Sequence, residues 1–124
     1  LLSFAIESKG ERMQAYIDLE ANELPGMMAT KPMILVDVRN NDEVVRGVID
    51  GAIHIPLTLL PLQYEPLAKV ENIVFYCHSG VRSAHAAAFA TSKGCKNVYN
   101  LVGGVLAWAR AGNQFVALDE GKKK

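Results

Sequence analysis

Ile73-Val74-Phe75-Tyr76-Cys77-His78-Ser79-Gly80-Val81-Arg82-Ser83 decides how this chain folds. Its first four residues form an unbroken run of β-branched and aromatic side chains, the composition of a strand buried on both faces. From Val81 to Lys93 the sequence turns alanine-rich, a strong helix former, and Gly94 supplies the expected C-terminal cap. A strand therefore runs into a helix through a short loop that opens on a cysteine. Ligands of open α/β sheets bind beyond the carboxyl ends of the strands. At such an end Cys77 faces loop N–H groups and the positive end of a helix. Both favour a thiolate, lowering the thiol pKa from about 8.5 by as much as several units. Gly80 lets the backbone curl without a Cβ clash, and Arg82 adds a permanent positive charge one turn into the helix. The result is a nest for an anion with a nucleophile at its centre. A cysteine can also be a buried small hydrophobe, but the glycine, serine and arginine that follow Cys77 favour the nucleophile.

The alternation of strand and helix extends outward in both directions. Residues 33–38 are an apolar run broken only by Asp37, which suits a second buried parallel strand. Ahead of it, residues 14–17 are a weak strand candidate. Asp18 reads as an N-cap for a helix over 19–28 that Pro25 interrupts. Residues 42–46 give a short helix, 47–51 a turn, 52–55 a strand stopped by Pro56, and 57–60 another short helix. After the long helix, residues 97–101 make a last strand, and Gly103-Gly104 turns into a helix ending near Arg110. This is an α/β fold with a mainly parallel sheet. Residues 14–118 form the domain, preceded by an arm or short helix over 1–13 and followed by a frayed tail over 119–124.

Composition narrows the function classes. The chain has 124 residues, 50% hydrophobic and 21% charged, which suits one domain with one core and argues against disorder. Formal net charge is zero, so no general attraction to nucleic acid or a membrane surface is expected. No apolar stretch approaches the roughly 20 residues that span a bilayer. Residues 72–118 carry Arg82, Lys93, Lys96 and Arg110 and no acid, which fits a segment holding something that works as an anion. Two cysteines, Cys77 and Cys95, do not make a disulfide framework, and a reducing compartment, the cytoplasm, is expected.

The loop Cys77-His78-Ser79-Gly80-Val81-Arg82-Ser83 resembles the active-site loop of the rhodanese family. Three further blocks carry the resemblance in the family's order. Leu35-Val36-Asp37-Val38-Arg39, with Glu43 beyond it, is similar to the first signature, and Gly51-Ala52-Ile53-His54-Ile55-Pro56 to the second. Asn97-Val98-Tyr99-Asn100-Leu101-Val102-Gly103-Gly104-Val105-Leu106-Ala107-Trp108 is similar to the C-terminal signature. The resemblance implies a rhodanese-like fold, a mainly parallel five-stranded sheet flanked by helices on both faces.

It also implies a sulfurtransferase in which the Cys77 thiolate takes the outer sulfur of thiosulfate, polysulfide or a partner protein's persulfide, and a thiol or cyanide then removes it. The N–H groups of His78, Ser79, Gly80, Val81 and Arg82 would hold the persulfide charge, with Asp37 and Ser83 in support. No metal and no organic cofactor is called for. In phosphatase relatives a longer loop separates the cysteine from the arginine. Here four residues lie between Cys77 and Arg82, a ring that fits one sulfur atom better than a tetrahedral oxyanion, so phosphatase or arsenate reductase chemistry ranks below sulfur transfer. His78 stands where thiosulfate-preferring members often carry a basic residue, which puts polysulfide or a protein persulfide beside thiosulfate as donor. The alternative from another class is a rhodanese-like module that binds a partner or senses redox state without turnover.

Other polar residues have simpler readings. Asp37 is expected to make a turn or cap contact after its strand, and thereby to shape the Cys77 loop. Arg39 and Glu43, four apart, are expected to form a local ion pair. His54 is expected to be a strand residue, His85 a surface or partly packed one, and Trp108 a core filler. Cys95 follows Gly94 and is expected to be structural rather than a resolving thiol.

Overall fold

The computed structural model describes residues 16–119 and 121; the arm expected over 1–13 and most of the tail lie outside them. Five strands form one sheet in the order β1-β5-β4-β2-β3, and every pairing is parallel. In chain order these are β1 (Ile17–Leu19), β2 (Ile34–Asp37), β3 (Ile53–His54), β4 (Ile73–Tyr76) and β5 (Val98–Leu101). The α-helices are α1 (Leu24–Thr30), α2 (Asn41–Val44), α3 (Leu60–Gln63), α4 (Val81–Ser92) and α5 (Gly104–Arg110). Short 3-10 turns precede α1, precede α3 and follow α3.

The apolar run in β4 follows from its central place. Successive strand side chains point to opposite faces, and Val74 and Tyr76 enter one core while Ile73 and Phe75 enter the other. On the first face lie Leu24 and Met27 of α1, Val44 of α2, and Val105 and Trp108 of α5. On the second lie Ala86, Ala87 and Ala90 of α4, with Leu60 and Leu67. The alanines let α4 sit close over the sheet. All four β4 side chains are fully buried, each contributing on the order of 2 kcal/mol by area.

Three local expectations change. Asp18 is not an N-cap: it lies in β1, opposite Asn100 of β5, because parallel pairing continues through it. The helical segment opens instead at Glu20, whose N–H donates to the Glu23 carboxylate at 2.9 Å. Strand β1 therefore sits at 17–19 rather than 14–17, and residues 14 and 15 lie outside the described part. Pro25 does not interrupt α1. It occupies the first turn, where its missing N–H costs nothing, and the helix runs on to Thr30.

The layering fixes where a site can form. Strands β2 and β4 are neighbours, yet α2 after β2 packs on the first face and α4 after β4 packs on the second. The chain parts at their carboxyl ends and leaves a crevice between Asp37 and Cys77, the switch point at which parallel sheets hold ligands.

Candidate functional site at the carboxyl end of β4

Cys77 follows β4 directly and is 1% exposed. Gly80 permits the curl with φ +104°, where a side chain would be strained and its Cβ would meet the Gly103 nitrogen at 3.1 Å. The curl turns N–H groups inward: Gly80 donates to Cys77 Sγ at 3.1 Å and Ser83 at 3.4 Å. The Ser83 hydroxyl lies 3.3 Å from the same sulfur. Burial alone would push the thiol pKa up, but the hydroxyl and N–H of Ser83 and the amides of Gly80 and Ser79 outweigh it, and the pKa is lowered. The amides of Val81 and Arg82 open α4, where they have no intrahelical acceptor. They remain available to a further anionic atom bonded to Sγ.

A second helix end shapes the loop from the other side. The N–H groups of Val105 and Leu106, at the start of α5, donate to the carbonyls of Cys77 at 2.9 Å and His78 at 3.2 Å. That contact needs a glycine at 104. A Cβ there would collide with the Cys77 carbonyl oxygen and lie 2.6 Å from that of His78. The loop is thus pinned by two helix N-termini, one directed at the sulfur and one at the backbone beneath it.

The charged residues pair differently from the expectation. Arg39 does not reach Glu43. It folds back on Asp37, with Nη2 2.7 Å from Oδ2 and Nε 3.1 Å from both carboxylate oxygens. The i,i+4 rule fails because α2 starts only at Asn41, leaving Arg39 in the turn ahead of it. Asp37 also accepts the Arg39 N–H at 2.9 Å, the turn contact expected of it. Glu43 is left for Arg82, which grips it through both nitrogens at 2.7 and 2.8 Å. His54 is a strand residue as expected, buried at the end of β3 with Nε2 2.7 Å from the Arg39 carbonyl. His85 is exposed on α4, and Trp108 is buried with its indole N–H on the Gln114 carbonyl at 2.9 Å. Cys95 is buried against α4, and burial pushes its pKa up.

A cavity of about 520 Å³ opens above the crevice. Its lining combines His78 and Ser79 of the Cys77 loop, the apolar Val105 and Phe115, and the charged Arg39, Arg46, Arg82, Asp42 and Glu43. Phe115 is brought there by a segment after α5 that pairs Val116 with Val48 in an antiparallel bridge. Asn100 escaped the sequence reading. It is buried on β5 and accepts the Ser83 hydroxyl at 2.6 Å. The signal available was an amide side chain inside an otherwise apolar strand. Among the described residues no cluster of three or more His, Cys, Asp or Glu is spaced to hold a metal ion.

A buried cysteine whose sulfur accepts N–H groups at a switch point between two helix ends marks out the site, and comparison with known proteins says to which family this α/β domain belongs. The Rhodanese-like domain family matches residues 20–111, and the chain belongs to that family. A sulfurtransferase of Allochromatium vinosum is 37% identical over 101 residues, 81% of this chain and 94% of that protein. A human single-domain sulfurtransferase, TSTD1, superposes with a TM-score of 0.67 at 30% identity, covering 75% of this chain and 95% of that one. A tRNA uridine(34) hydroxylase of Pectobacterium carotovorum is 35% identical over 98 residues, which are 74% of this chain but 28% of the hydroxylase. The all-parallel five-stranded sheet with helices on both faces agrees with the fold expected from the sequence.

Proposed function

We propose that this chain is a sulfurtransferase working through a persulfide on Cys77. The observation that carries the reading is the set of N–H groups from Gly80 and Ser83 on Cys77 Sγ. The thiolate attacks the outer sulfur of a donor. With thiosulfate the S–S bond breaks, its electron pair leaves with sulfite, and Cys77 keeps the sulfur as Cys–S–S⁻. A thiol or cyanide then attacks that outer sulfur, leaves as a persulfide or thiocyanate, and restores the thiolate. The chain's part is electrostatic: the amides of His78 to Arg82 receive the outer sulfur, as an oxyanion hole receives oxygen. Asp37 and Ser83 support the loop, Asp37 through Arg39 and Ser83 through its contacts with Sγ. No metal or organic cofactor takes part.

The cavity favours a donor larger than thiosulfate, a polysulfide or a partner protein's persulfide. Arg82 is paired to Glu43 and Arg39 to Asp37, so among the described residues Arg46 is the lining guanidinium with no acid on it, and His78 is the residue next to the cysteine. The test is intact-protein mass after incubation with thiosulfate and, separately, polysulfide. An added sulfur, about 32 Da, that cyanide removes and Cys77→Ser abolishes is the expected result. One observation favours a second reading, a partner-binding or redox-sensing module without turnover: Cys77 is only 1% exposed. No adduct with either donor, together with a thiol that resists alkylation, would replace sulfur transfer with that reading.

A further inference from the structure

Ser83 has one hydroxyl hydrogen and two neighbours that want it. Its oxygen lies 2.6 Å from Asn100 Oδ1 and 3.3 Å from Cys77 Sγ. The shorter contact, to oxygen, takes the hydrogen, so the longer one is made by the cysteine: S–H donates to the Ser83 oxygen. That arrangement suits a thiol. It does not suit a thiolate, which must be given a hydrogen rather than give one. Ser83 is fully buried, and its hydroxyl cannot turn to water for a substitute. Asn100 differs from other acceptors in one respect: a half-turn of its amide replaces the oxygen with a nitrogen that donates. Among the described residues no protein acceptor pins Nδ2 against that turn.

We propose that Asn100 is a positioning residue for Cys77. Its amide oxygen takes the Ser83 hydrogen while Cys77 is a thiol, and its amide nitrogen donates to Ser83 once Cys77 is a thiolate, releasing the hydroxyl hydrogen to the sulfur. The S–H bond breaks and its proton leaves to solvent; the serine and asparagine keep their own hydrogens and only rotate. Every member of the chain Cys77–Ser83–Asn100 then has a partner in both states. The charged and titratable groups around it are His78 on the loop, Arg82 on α4 held by Glu43 of α2, Asp37 of β2 held by Arg39, Asp18 opposite Asn100 on β1, and the buried Cys95.

Asn100→Asp places an ionised group that accepts but cannot donate. The pH midpoint of Cys77 alkylation, read with iodoacetamide in a Cys95→Ser background, should rise by about one unit or more, a tenfold loss of thiolate at a pH below both midpoints. With Ser83→Ala added, the same substitution should move the midpoint less than half as far. Equal shifts in the two backgrounds overturn the proposal, because charge acting through space then explains them, and no shift overturns it too. Should the aspartate variant not fold, the wild type carries the test. The Asn100 side-chain amide resonance should move in step with Cys77 ionisation, and that response should vanish in Ser83→Ala; an amide blind to the titration overturns the idea. The inference rests on Cys77 being the reactive thiol of the proposed function. Alkylation needs no sulfur donor, however, so failure to load sulfur and failure of the relay are read separately.

Discussion

Arg82 and Glu43, 39 residues apart in sequence, are joined by two hydrogen bonds of 2.7 and 2.8 Å across the crevice at the end of β4. The pair closes the gap that the topology opens, since α2 and α4 leave neighbouring strands toward opposite faces. Glu43 does double duty: the carboxylate oxygen nearest Arg82 also accepts the Asn40 N–H at 3.0 Å and so starts α2. The bond to Arg82 is the main reason its pKa is lowered to about 2.

That depression has a pH signature. A carboxyl held below its ordinary value of about 4.3 adds stability that is fully present above that value and is lost as pH falls toward about 2. Because both side chains are about 30% exposed, the pair is worth about 1 kcal/mol rather than the larger figure its shift suggests. Urea midpoints between pH 6 and pH 2.5 should fall in the wild type and fall less steeply in Glu43→Gln. Parallel curves would show that the ion pair contributes nothing to stability.

The same geometry limits what Arg82 does for the sulfur. The loop sequence alone suggests that its charge acidifies Cys77. With that charge neutralised by Glu43, the leading influences on Cys77 are burial, which raises its pKa, and the contacts of Ser83, Gly80 and Ser79, which lower it further than burial raises it. Arg82→Ala should therefore move the alkylation midpoint by less than Ser83→Ala does, and Ser83→Ala should move it up. A larger upward shift in Arg82→Ala would return the main role to the guanidinium.

The two cysteines should separate cleanly under the same reagent. Cys77 has its pKa lowered by hydrogen bonds, whereas Cys95 has its pKa raised by burial with nothing to offset it. At pH 7.5 one equivalent of iodoacetamide should label Cys77, and peptide mapping should find Cys95 unmodified until the protein unfolds. The linked stabilities have opposite signs. The lowered Cys77 adds stability above its ordinary pKa, and that contribution is lost as pH falls through the lowered value. The raised Cys95 adds stability below its ordinary pKa, and that contribution is lost as pH climbs through the raised value. Labelling of Cys95 at the Cys77 rate would contradict both assignments.

What the sequence made legible follows physical reach. Strand β4 was readable residue for residue because a strand buried on both faces must be apolar throughout, and the strand-to-helix junction at Cys77 came with it. The partners of Arg39 and Glu43 were not, because spacing rules apply within one element. Arg39 precedes its helix, and the partner of Glu43 lies 39 residues away on another layer. Nothing in the motif around Asn100 marks that residue out. Its role comes from a strand neighbour of β4 that brings it to Ser83, and pairing order is not written in any local pattern. The Gly103-Gly104 pair signals only a turn, while the need for no side chain at 104 comes from carbonyls of a different loop.

Gly104 therefore gives the sharpest stability prediction. Its φ of +53° is costly for a residue with a side chain, and an added methyl would drive into the Cys77 and His78 carbonyls, which are backbone and cannot swing aside. Gly104→Ala must either break the bonds from Val105 and Leu106 to those carbonyls or lift α5 off the loop. The expected cost is about 3 kcal/mol or more, with the loop losing its inward N–H groups even where the sheet survives. The matched control is Gly26→Ala in α1, where nothing lies within 4 Å of the new Cβ and the change should stabilise by up to about 1 kcal/mol. Thermal melting of the two variants beside the wild type should bracket it, Gly104→Ala well below and Gly26→Ala slightly above. If Gly104→Ala melted with the wild type and kept its Cys77 alkylation rate, the two-helix clamp would not be what holds the loop.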